Sequence, residues 1–111
     1  MDTGKEKLRQ EAEVQGDKLI KEAEERGQQL RDEAAKAAEK IRLEADAQAK
    51  NLVDGAASKG VIAKAAAQKG ADALKKEADR KATQLVQEAD VQANKLVEDA
   101  KAKKADMISK I

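Results

Sequence analysis

The chain has 111 residues, 41% of them charged, with 23 basic against 22 acidic residues and no Phe, Trp, Tyr, Pro, Cys or His. Alanine supplies 24 of its 45 apolar residues, so it lacks the bulky mass with which a compact globule of this length fills a core. A net charge of +1 without aromatics excludes the basic, stacking footprint of a nucleic-acid binder, and the absence of cysteine excludes disulfide and thiol chemistry.

The first predicted element is a helical arm over residues 5–54. Its large apolar residues, Leu8, Leu19, Leu30, Ile41 and Leu52, recur every eleven positions. Four residues after each stands alanine: Ala12, Ala23, Ala34, Ala45 and Ala56. Four further on lies a glycine or alanine: Gly16, Gly27, Ala38 and Ala49. No proline interrupts the arm, and strong helix formers fill it. Spacings of 4, 4 and 3 average about 3.67 residues per turn, a hendecad period that favours a slight right-handed winding of partner helices.

The second predicted element is a turn over 55–61. Here the acid that usually follows three residues after the column leucine becomes Gly55, and Ala66 one repeat later. The column leucine itself is replaced by Ala63. Gly55, Gly60 and Gly70 place three of the six glycines in this region, and glycine suits helix ends. Ser58 is the expected N-cap of the next helix.

The third predicted element is a helical arm over 62–111. Leu74, Leu85, Leu96 and Met107 continue the large column, and Ala67, Ala78, Ala89 and Ala100 the alanine column. Gly60, Ala71, Ala82 and Ala93 continue the small column, which fails at Lys104.

The expected fold is all-α: one elongated coiled-coil module over 1–111 with hendecad periodicity, a helical hairpin being favoured over a continuous rod. A rod would be about 165 Å long and a hairpin about 75–80 Å. Folding back at 57–58 sets Ile41 opposite Leu74 and Leu30 opposite Leu85. The expected helix–helix interface is Leu8, Ala12, Gly16, Leu19, Ala23, Gly27, Leu30, Ala34, Ile41, Ala45, Leu52, Leu74, Ala78, Ala82, Leu85, Ala89, Leu96 and Met107. Full burial of its nine large residues would contribute roughly 14–27 kcal/mol, and the small columns let two backbones approach closely.

Lys7, Lys18, Lys40 and Lys95 each stand four residues before an acid, an arrangement that supports a solvated, self-paired helix surface. Ile20, Val53, Val86, Val97 and Ile108 directly follow column residues and widen the apolar face, while Arg9, Arg31 and Arg42 fill equivalent sites. Two helices do not cover so broad a face, so self-association into a homodimer or higher bundle is expected.

No constellation for catalysis is present. The hydroxyl side chains are Thr3, Ser58, Thr83 and Ser109, none with a neighbouring base. Glu24/Glu25 and Asp32/Glu33 point to different helix faces. No phosphate-binding glycine pattern occurs. No enzyme activity, cofactor, metal or small-molecule substrate is therefore expected. No stretch is apolar enough to span a bilayer, and Met1-Asp2-Thr3-Gly4 does not read as a signal sequence.

The units Lys18-Leu19-Ile20-Lys21-Glu22-Ala23, Gln84-Leu85-Val86-Gln87-Glu88-Ala89 and Lys95-Leu96-Val97-Glu98-Asp99-Ala100, with the central Ala63-Lys64-Ala65-Ala66-Ala67-Gln68-Lys69-Gly70-Ala71, resemble the repetitive C-terminal tails of AsmA-like and other envelope-associated proteins of the Bacteroidetes. The resemblance covers nearly the whole chain and implies a periplasmic or envelope-facing appendage. Group 3 late-embryogenesis-abundant proteins share the period, but the regular leucine column departs from them. The expected function is a non-enzymatic spacer or oligomerisation element. The alternative is an amphipathic helix lying on a lipid surface.

Overall fold

The computed structural model describes residues 3–111. Met1 and Asp2, part of the signal-sequence reading, lie outside the described residues. Helix α1 spans Thr3–Ala56 and helix α2 spans Val61–Ser109, and no strand occurs among the described residues. Both helices are uninterrupted because nothing in them breaks an i→i−4 ladder: there is no proline, and alanine, lysine, glutamate and leucine dominate. The fold is an all-α, coiled-coil-like helical hairpin, so the chain is not a continuous rod.

The turn is shorter than the glycine pattern predicts. Helix α1 runs through Gly55 and closes with Lys59 N donating to Ala56 O at 3.0 Å. Gly60 adopts φ +100°, the one positive φ found among the described residues. That region is costly for any residue with a Cβ. The carbonyl of Gly60 accepts from Lys64 N at 3.0 Å and so opens α2. Ser58 stands two residues too early to cap it, which corrects the expected N-cap.

Two compact units divide the hairpin. The unit Glu33–Gln87 contains the turn and the helical segments on either side of it. There Ala38, Ala49 and Ala71 are 1% exposed and Ala82 is fully covered. The other unit joins the early part of α1, up to Asp32, to Glu88–Ile111 of α2. There Gly27 packs on Ala93, and Ala12, Ala89 and Ala100 are buried. In both units every buried residue is alanine or glycine, and no large side chain is fully buried.

The expected leucine core is therefore corrected. A contact between two helices is narrow, and it settles on the columns that permit the closest approach of the backbones. The leucines, one column away, fall at its edge.

Candidate functional site

Each predicted interface residue has a definite place. Ala12, Gly16, Gly27, Ala34, Ala45, Ala78, Ala82 and Ala89 are buried. Ala23, Leu19, Leu30, Ile41, Leu74, Leu85, Leu96 and Met107 are half-buried. Leu8 and Leu52 are 53% and 45% exposed, but Leu52 still borders the other helix, its Cδ1 lying 3.7 Å from where a Cβ at Gly70 would stand. The buried seam also takes in Ala38, Ala49, Ala56, Ala71, Ala93 and Ala100, the remaining close-packed members of the two small columns.

The facing register differs from the symmetrical fold-back. Gly27 lies against Ala93, and Gly16 against Lys104. Folding at 57–58 would set Gly27 opposite residue 88 and Gly16 opposite residue 99, so α2 is displaced by about five positions. The reason is the turn: α1 runs on to Ala56 and Gly60 opens α2, which places the fold-back further along the chain.

In the unit 33–87, one flank of the seam is apolar and open. Ile41 and Leu74 line a groove with Ala45, Ala78, Glu44, Gln48, Glu77 and Lys81. Leu74 also lines its continuation with Gln48, Asn51 and Leu52. The rim of this face carries both signs of charge. Beside it, Arg80 hydrogen-bonds Glu77 at 2.7 Å, and this bond holds the Glu77 carboxyl below its ordinary pKa.

Arginine brackets close over the seam in each unit. Arg42 Nε reaches Asp79 at 3.0 Å and its Nη2 reaches Thr83 at 3.4 Å. Arg31 Nε reaches Asp90 at 2.8 Å and its Nη2 reaches Asn94 at 2.7 Å. The Lys104 ammonium pairs with Asp17. Among the described residues, Lys7, Lys18, Lys40 and Lys95 make no ion pair with the acids four residues on; the helix surface pairs with itself instead at Arg80–Glu77, Lys101–Glu98 and Lys110–Asp106. The cross-helix pairs are partly exposed, so each contributes a few tenths to about 1 kcal/mol. Their larger effect is on register, because a planar guanidinium engages two acceptors on one helix at once.

The sequence carried a signal for these pairs. Arg31 and Arg42 are eleven residues apart, as are Asp79 and Asp90, so one register satisfies both. Sequence reasoning set the helices in a different register and missed it.

Among the described residues no group of three acidic side chains converges into a metal-holding cluster, and no described helix is long and apolar enough to cross a membrane. No family model, curated protein or solved structure matches the chain.

Proposed function

We propose that the chain is a non-enzymatic structural and interaction module, a coiled-coil spacer that oligomerises through its leucine face. The observation that carries this reading is the open apolar groove of Ile41, Leu52 and Leu74 beside a seam already closed by alanine.

A second copy of the chain is the partner. The groove is flanked by Glu44, Glu77 and Lys81, a mixed rim that suits a surface of like composition better than a strongly acidic or basic one. Two hairpins meeting on this face form a four-helix assembly, and the eleven-residue period favours right-handed winding within it.

Light scattering coupled to size-exclusion chromatography tests the proposal. The unaltered chain is expected at twice its monomer mass or more. The double variant Ile41→Ser/Leu74→Ser is expected at monomer mass with its helicity retained, since the seam does not include either side chain. Monomer mass for the unaltered chain across the micromolar range would exclude self-association.

A further inference from the structure

Within the unit 33–87, the turn end has a charge pattern found nowhere else in the chain. Residues 55–71 contain three lysines, Lys59, Lys64 and Lys69, and no acid. Elsewhere no acid-free stretch between two acids exceeds eight residues. The rest of the chain carries 20 basic and 22 acidic residues, so the positive excess is concentrated here.

The same segment holds Val61 and Ile62, which are 84% and 86% exposed, the most exposed large apolar side chains among the described residues. They occupy the first turn of α2, directly after Gly60. Neither belongs to the seam, and β-branched residues are poorer helix formers than the alanines that follow. Helix formation and hairpin packing therefore do not account for them.

We propose that the turn end is a membrane-docking tip: Val61 and Ile62 enter the interfacial layer of an anionic lipid surface while Lys59, Lys64 and Lys69 meet its headgroups. Charge complementarity selects this occupant. Lys59, Lys64 and Lys69 outnumber Asp54, the acid in the last turn of α1, so the turn end is net positive; a second copy docked tip to tip would set one net-positive end against another, whereas basic residues near an anionic leaflet are attracted to it. Shape agrees. Two bulky residues at a turn need no preformed pocket in a fluid interface, into which apolar side chains bury readily. The mode differs from a helix lying along the membrane, and it does not depend on self-association through the leucine face.

Flotation of the full chain with vesicles of phosphatidylcholine, with and without phosphatidylglycerol, tests the tip. Binding to the phosphatidylglycerol vesicles alone is expected. Val61→Ser/Ile62→Ser should weaken it by about tenfold or more, with circular dichroism confirming unchanged helicity, and Lys59→Gln/Lys64→Gln/Lys69→Gln should weaken it as well. Val14→Ser/Val91→Ser, which alters exposed valines elsewhere, should leave it intact. Because the chain has no cysteine, Ile62→Cys and Val91→Cys can each carry one environment-sensitive fluorophore. A blue shift with vesicles at position 62 and none at 91 supports the tip. An equal shift at both positions means that the chain lies along the surface and overturns it. So does equal binding by Val61→Ser/Ile62→Ser. Absence of any binding to phosphatidylglycerol vesicles overturns it as well.

Discussion

Lys104 stands against Gly16, and the lysine stem occupies the space that any side chain at position 16 would need. A Cβ built there would lie 2.8 Å from Lys104 Cβ and overlap the next carbon of the stem. The one lysine in the small-residue column of α2 is thus matched by a glycine in α1, and its ammonium is held by Asp17 beside that glycine.

Glycine-to-alanine changes should therefore separate by position. At Gly55 nothing lies within 4 Å of an added Cβ, so Gly55→Ala should stabilise by up to about 1 kcal/mol through helix propensity. At Gly27 the added Cβ would stand 3.0 Å from Ala93 Cβ and 3.3 Å from Ala93 backbone atoms. Neither the Ala93 backbone nor the root of the Lys104 side chain can swing away, so Gly16→Ala and Gly27→Ala should destabilise by roughly 1 kcal/mol or more despite better propensity. Thermal melts of the three variants check this. A rise in melting temperature for all three would mean that the helices are not in close contact at these sites.

The centre of the seam should tolerate no enlargement. Ala38 and Ala82 are 1% and 0% exposed, and Ala38→Leu or Ala82→Leu should each cost about 1–3 kcal/mol or change the oligomeric mass. Leu30→Ala and Leu85→Ala remove half-buried side chains, so in a monomer each should cost less than the 2–5 kcal/mol of a full core truncation. Urea titrations at concentrations where the chain is monomeric order the four variants.

Reversing one side of an arginine bracket should weaken the hairpin, and reversing both should restore it. Arg42→Asp places a carboxylate opposite Asp79, and the expected loss is about 0.5–1 kcal/mol. The double variant Arg42→Asp/Asp79→Arg should recover most of it. The single-variant penalty should shrink at high salt, where exposed charges are screened within a few ångströms. A penalty insensitive to salt would assign the effect to lost packing of the arginine stem instead.

At the turn, Gly60→Ala should cost about 1–2 kcal/mol, because φ +100° forces a Cβ into a crowded backbone region. Ser58→Ala should be nearly neutral, whereas loss of a true N-cap costs about 1 kcal/mol. Equal destabilisation by both changes would restore Ser58 to a capping role.

Helix identity, the break near the middle of the chain and the close-packed small columns were legible from the eleven-residue pattern. The roles of leucine and alanine were not. Periodicity marks which columns lie together on one face, and it does not say which of them a single partner helix will cover. Ala38 and Ala82 won that position over Ile41 and Leu85 because closeness of approach, a property of the pair, decided it. Register was illegible for a related reason. Every repeat resembles the next, so Gly27 can be set against Ala82 or Ala93, eleven residues apart, on paper with equal success. The choice came from Gly60, whose backbone conformation fixes where α2 begins. The capping role of Ser58 failed on the same ground: its chemistry was suitable, but its position was two residues too early.

The alanine seam behaves as a ruler with identical divisions. Moving α2 along α1 by eleven residues, about 16 Å, brings alanine to alanine again and leaves the contact little changed. Only the exceptions oppose such a slide: the lysine lodged at Gly16, the two arginine brackets and the covalent turn. Of the brackets, a one-repeat slide would still leave an arginine facing Asp79 or Asp90. The four-residue connection through Gly60 is therefore the strictest of these constraints. A chain cut between Ser58 and Lys59 would let its halves re-pair in more than one phase, while the intact chain is confined to a single one.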